Sequence, residues 1–270
     1  MKHHKPITAT RWIEELLGQG RYTFSREEAQ KRLGTKPAAT YMVLRRLEKE
    51  SRLAMPKAGF YTIVDPQHRS TGILPPDWFV HALMGNMGKP YYVGLLSAAQ
   101  IHGAAHHRPQ EFQVVIPTSE IRPRTIHIKN VRIRFFSKSP FEKSGVIQVK
   151  TPTGYQRVST PETTAWDLVR YYKSAGGYEN VITVLSELSE HMNAGVLQKT
   201  VKQHGDMLVA RRLGYLLDHL GRKNLVQGLA GWVGKKNVPL RLLDPSDPIT
   251  KSTVSKKWRL LVNVKLESET

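Results

Sequence analysis

The chain has 270 residues, 40% of them hydrophobic, no cysteine, and a formal net charge of +19. That length supports one large domain or two ordinary ones with proper cores. The missing cysteine excludes disulfides, thiolate catalysis and Cys-ligated zinc, and the charge points to a polyanionic partner, nucleic acid ahead of an anionic membrane surface.

The N-terminus, Met1-Lys2-His3-His4-Lys5, is basic, but Glu14 and Glu15 interrupt the apolar residues that follow, so no secretory core is expected. Ile7 to Leu17 has helical spacing of Ile7, Trp12, Ile13, Leu16 and Leu17, stopped by Gly18 and Gly20. Tyr22-Thr23-Phe24 reads as a short extended link. Ser25 and Glu28 form a capping box for a second helix that ends at Gly34, with Ala29 and Leu33 facing inward. Pro37 suits the first position of a third helix, in which Thr40, Val43, Leu44 and Leu47 share one face through Glu50. Arg52 to Met55 and Phe60 to Val64, joined by Pro56-Lys57-Ala58-Gly59, read as a hairpin. Helix, short strand, helix, turn, helix, hairpin is the order of a winged helix-turn-helix.

In that motif the third helix enters the major groove. With its inner face assigned, the outward residues are Lys36, Ala38, Ala39, Tyr41, Met42, Arg45, Arg46 and Lys49. The small residues allow close approach, Met42 suits a thymine methyl, and the arginines suit bases or phosphates. Lys57 at the hairpin turn is the expected wing contact. Residues 1–69 hold 14 Lys and Arg against seven Asp and Glu, which favours DNA over protein docking. A solvated helix face would explain the charges but not the whole element order.

Asp65-Pro66 and Pro75-Pro76 mark residues 66–76 as a linker, dividing the chain into domains 1–70 and 71–270. Beyond it, helices are expected at Trp78 to Gly85 and Val93 to His102. The most apolar stretch here, Tyr91 to Ile101, is broken by Gly94, Ser97 and Gln100 and is shorter than the roughly 20 residues of a membrane span. Strands are expected at Phe112 to Pro117, Thr125 to Lys129, Val131 to Ser137 and Val146 to Lys150. A helix capped by Thr160 with Pro161 at its first position runs to Tyr172. Further helices follow at Tyr178 to His191, Ala194 to His204 and Met207 to Leu220, then extended runs at Val238 to Leu243 and Trp258 to Leu266. The expected fold is α+β: an N-terminal winged helix-turn-helix followed by a larger mixed α/β domain with a helical C-terminal half.

In the second part, Arg122, Arg124, His127, Lys129, Arg132 and Arg134 alternate with apolar residues, giving one cationic and one apolar sheet face. Arg211 and Arg212 add basic charge near helix ends. All of these except His127 are candidate contacts to phosphate, RNA or a toxin; a plain solvated face fits as well. His102, His106, His107 and Glu111 match no metal-ligand spacing, Glu162 and Asp167 do not share a helix face well, and Asp244 and Asp247 suit turns. Gly176-Gly177 and the spaced Gly228, Gly231 and Gly234 read as turn or helix-packing residues, not a phosphate loop. No catalytic residue, metal or cofactor is expected.

Tyr91 to Gly103 with Phe112 to Pro117, Ser159-Thr160-Pro161-Glu162-Thr163-Thr164-Ala165-Trp166-Asp167-Leu168, and Trp258-Arg259-Leu260-Leu261-Val262-Asn263-Val264 together resemble the AbiEi family of antitoxins from bacterial type IV toxin–antitoxin and abortive-infection systems. The resemblance implies a cytoplasmic, non-enzymatic antitoxin of antiviral defence. It further implies an autorepressor that binds inverted repeats in its own promoter through the N-terminal domain. The C-terminal domain would counteract a co-encoded nucleotidyltransferase toxin, with or without a direct complex. Two other readings stay open on the residues alone: a nuclease-like nucleic-acid enzyme, and a DNA-binding regulator unrelated to toxin–antitoxin systems.

Overall fold

The computed structural model describes residues 7–104, 109–118, 125–141, 144–234, 238–247 and 252–266. It is a mixed α+β structure whose contacts form two compact units. The first unit contains Met1–Tyr92, Gln110–Lys138 and Gln148–Arg157; the second contains Val93–Pro109, Ser139–Ile147 and Val158–Thr270.

The first unit opens with α1 (Ala9–Gly18), whose N-cap Thr8 accepts a hydrogen bond from the Arg11 N–H. After β1 (Thr23–Ser25), Ser25 Oγ accepts from the Glu28 N–H at 3.1 Å and starts α2 (Arg26–Leu33). The other half of the expected reciprocal box is diverted, because the Glu28 carboxylate is taken by Arg21 at 2.8 Å. Gly34 ends α2 at φ +64, a conformation that only glycine adopts without steric cost.

Next come α3 (Pro37–Lys49), β2 (Leu53–Lys57) and β3 (Phe60–Ile63). The hairpin turn is tighter than expected, because Lys57 already pairs with Phe60 and only Ala58-Gly59 lie between them. Strand order is β1-β3-β2, antiparallel throughout. Trp12, Ile13, Leu16, Phe24, Leu44, Leu47, Leu53 and Tyr61 fill the core between the helices and this sheet. Each such side chain contributes about 1.5–3 kcal/mol by leaving water.

All four residues of β3 are buried, because the helices lie on one side while α4 (Pro76–Asn86) packs on β1 and β3. This bears on residues 66–76, expected as a linker. Asp65 caps a 3₁₀ turn at Pro66–His68, and Ile73 and Leu74 are buried. The segment is therefore packed, and residue 70 falls inside the first unit.

That unit also holds most of a six-stranded mixed sheet. Its strands are β4 (Tyr92–Val93), β5 (Phe112–Pro117), β6 (Thr125–Ile128), β7 (Val131–Lys138), β8 (Val146–Thr151) and β9 (Gly154–Ser159), in the order β6-β7-β5-β4-β9-β8. β5 and β7 run parallel over six residue pairs, while β6 and β7 run antiparallel. β9 has no counterpart among the expected strands.

The second unit is mainly helical: α5 (Leu95–Ile101), α6 (Pro161–Arg170), α7 (Gly177–Leu188), α8 (Ala194–His204), α9 (Met207–His219) and α10 (Lys223–Gly234). α6 is its centre, buried from Glu162 to Val169 and packed on α5, α7, α8 and α9; Thr160 Oγ1 caps it by accepting from the Thr163 N–H. α10 is absent from the expected helices; it places Gly228, Gly231 and Gly234 within a helix, the second of the two readings given for them, and Leu225, Val226, Leu229 and Val233 pack it on α8 and α9. β10 (Arg241–Leu242), β11 (Thr253–Ser255) and β12 (Leu260–Val262) close the unit in the order β10-β12-β11.

Candidate nucleic-acid interface

Burial divides α3 as its periodicity predicts. Thr40, Leu44 and Leu47 are buried and Val43 is half-buried, so Lys36, Ala38, Ala39, Tyr41, Met42, Arg45, Arg46 and Lys49 all face solvent. The helix start is pinned from inside: Thr35 and Thr40 hydroxyls lie 2.7 Å apart, and Thr40 Oγ1 also donates to the Lys36 carbonyl. Met42 is 64% exposed. With Val43, Arg45, Arg46 and Lys49 it lines a shallow depression of about 590 Å³.

Arg46 approaches Glu50 at 3.7 Å, an exposed i,i+4 pair of small energetic weight. Among the described residues, Lys36, Arg45 and Lys49 have no ion-pair partner, which leaves their charge for an external anion. Arg45 Nη1 donates to Tyr41 Oη at 3.5 Å, and its guanidinium lies 6.0 Å from the ring centroid. Arg26, which is not among the expected contacts, stands over the same ring at 5.7 Å. Lys57 is less free than a wing-tip residue was expected to be. It is half-buried, and its Nζ donates to Asn86 Oδ1 at 3.4 Å.

In the larger sheet the expected alternation holds over β6 and β7: Ile126, Ile133 and Phe135 are buried, while His127 and Arg132 are exposed and Arg134 is half-exposed. Arg132 and Arg134 both grip Glu111, one on each carboxylate oxygen, at 3.1 and 3.3 Å. Their donors are thus partly spent inside the protein. Lys129 is exposed at the β6–β7 turn. Arg122 and Arg124 lie outside the described residues, as do His106 and His107.

Arg211 and Arg212 require a correction. They are buried at 2% and 8% exposure, not a surface patch. Arg211 Nε donates to the Trp258 carbonyl at 2.9 Å, and its Nη2 donates to the carbonyls of Pro239 and Arg259. Arg212 Nη2 donates to the Leu242 carbonyl at 3.1 Å. These carbonyls lie at or beside the ends of the last short strands, and the two guanidiniums give them charged donors; the Arg259 carbonyl also accepts from the Arg241 N–H.

His102, Glu162 and Asp244 are tied into the fold. His102 Nε2 donates to the Ser159 carbonyl at 2.7 Å, Glu162 Oε1 accepts from the Asn193 N–H at 2.8 Å, and Asp244 accepts from Ser246 and from Tyr172 Oη. Among the described residues no three His, Asp or Glu side chains gather as a metal site. No described helix is long and apolar enough to cross a membrane.

Fold and surface together define a basic α+β protein with an exposed cationic helix in one unit and a helical second unit. Residues 92–219 match the family model of the AbiEi antitoxin C-terminal domain, so this part of the chain is an AbiEi antitoxin domain and the expected family likeness holds there. The match supports an antitoxin of a toxin–antitoxin system. Among solved structures, the chain is similar to the Rv2827c protein from Mycobacterium tuberculosis, with a TM-score of 0.70 and 15% identity over 94% of this chain and 90% of that one. At that identity the likeness concerns the fold. No curated protein sequence matches the chain.

Proposed function

We propose that this protein is a type IV antitoxin and transcriptional autorepressor that acts in the cytoplasm without catalysis. Residues 1–70 form a winged helix-turn-helix that binds duplex DNA at inverted repeats in the protein's own promoter. Residues 71–270 counteract a co-encoded nucleotidyltransferase toxin. The antitoxin half rests on the AbiEi domain match over residues 92–219. The DNA half rests on one observation: α3 turns Lys36, Arg45, Arg46, Lys49 and the apolar tip of Met42 to solvent while its opposite face is locked in the core. A helix that exposes small residues at its start and cations beyond them suits the major groove, where arginine meets guanine or phosphate and an apolar tip meets a thymine methyl. Lys57 reaches the flanking backbone from the hairpin turn. On the larger sheet, Lys129, Arg132 and Arg134 offer a second contact surface for toxin or RNA.

The test is an electrophoretic shift with a duplex from the region upstream of the gene and an unrelated duplex of equal length. Preference for the upstream duplex at moderate salt supports repression, and equal affinity for both refutes it. Replacing Arg45 and Arg46 by alanine is expected to weaken upstream binding by about 1–3 kcal/mol for each arginine that meets a base edge, with the melting temperature unchanged.

A further inference from the structure

Arg26 opens α2, fifteen positions before Tyr41 in the sequence, yet its guanidinium carbon lies 5.7 Å from the centroid of the Tyr41 ring. Arg45 reaches that ring as well, at 6.0 Å, and bonds the phenol. Tyr41 is 40% exposed, so it is a surface platform with a cation from each of two helices and not a core residue. Arg26 makes no ion pair among the described residues, and its buried Nε has no hydrogen-bond partner there. Its backbone N–H donates to the Gly59 carbonyl at 2.8 Å, which fixes the start of α2 beside the hairpin turn. The Glu27 carboxyl lies below its ordinary range, first through its backbone hydrogen bonds and Ser25, then through the charges of Arg26 and Lys57, so all three charges share one neighbourhood.

A guanidinium held over an aromatic face by a cation–π contact keeps N–H groups free for an anion, and the ring restricts the rotamers that binding would otherwise have to order. We propose that Arg26 contacts a DNA phosphate and that Tyr41 is its positioning residue, so that Arg45, Arg26 and Lys57 form one cationic strip from α3 to the hairpin turn along a single strand's backbone. Glu27 interrupts that strip and weakens it. The inference rests on the reading of α3 as a DNA-binding helix.

Full-length protein is titrated with the upstream duplex and an unrelated duplex over a range of salt. Arg26→Ala is expected to weaken both duplexes alike, by roughly 3- to 10-fold, and to reduce the salt slope by about 1, as removal of one cation from a phosphate requires. Tyr41→Leu should reproduce that weakening and slope change, whereas Tyr41→Phe, which keeps the ring, should retain the Arg26 contribution. Glu27→Gln should tighten both duplexes. Thermal unfolding identifies any variant that fails to fold, and Arg26→Gln replaces Arg26→Ala in that case. Unchanged affinity and slope in the Arg26 variants, with Arg45→Ala still impaired, overturn the inference and leave DNA binding standing. Equal behaviour of Tyr41→Leu and Tyr41→Phe overturns the positioning role. A wild-type protein that binds neither duplex overturns the DNA reading and this inference with it.

Discussion

Asp218 and Arg211 sit on the same helix and hold the same late segment by opposite chemistry. Asp218 accepts from both Lys257 Nζ, at 2.9 Å, and Trp258 Nε1, at 3.0 Å. Burial alone would raise its carboxyl, but these two donors outweigh that and hold it below the ordinary 3.8. A carboxyl lowered by folding stabilises the protein above its unfolded-state value and loses that contribution as pH falls through the folded-state value. We therefore expect thermal stability to drop below about pH 4, and Asp218→Asn to flatten that part of the profile while lowering stability at neutral pH by ~1–3 kcal/mol. Melting curves of both proteins from pH 3 to 7 check this; parallel profiles would contradict it. For Arg211, removal takes a charged donor from three carbonyls, of which Arg259's keeps the backbone N–H of Arg241, so Arg211→Ala should destabilise the fold rather than weaken nucleic-acid binding. A shift in DNA affinity with unchanged melting would restore it as a surface contact.

Helices depend on a few close approaches that substitution isolates. Gly214 in α9 faces the six-membered ring of the fully buried Trp258, and a Cβ there would overlap that ring. Gly214→Ala should cost about 1–3 kcal/mol by overpacking, although alanine favours helix intrinsically. Denaturant unfolding gives the sign, and a stabilised variant would mean that Trp258 has another place to go. At α2, Ser25→Ala removes the acceptor of the Glu28 N–H and should cost ~1 kcal/mol, read in the same way.

For the molecule as a whole, the net charge of +19 makes salt dependence the central expectation. Four phosphate contacts per bound copy would give a fall of roughly 100-fold in affinity for a fourfold rise in salt. Measured affinities that ignore salt would argue against phosphate contacts altogether. The proposed division of labour makes a second expectation: Arg45→Ala with Arg46→Ala should lose promoter repression but still rescue growth against the toxin. Loss of both would mean that the two activities share a surface.

Local signals were legible because they act over a few residues. Thr160 with Pro161, Ser25 with Glu28, and Gly34 with its left-handed φ mark helix ends wherever the chain later goes, and the period of Thr40, Leu44 and Leu47 already determined which side of α3 meets water. The family likeness was legible for the same reason, as continuous runs of packing residues. Tertiary structure alone decided what each charge does. Arg211 and Arg212 read as surface residues because carbonyl acceptors 28 to 48 positions away leave no trace in composition. The Arg26–Tyr41 pairing, the packing of Ile73 and Leu74, and the parallel pairing of β5 with β7 likewise depend on distant segments meeting. The sequence by itself determined an exposed cationic helix; only the tertiary structure decided which cations remain free to meet an external anion, because a cation is free only if no distant acceptor folds onto it.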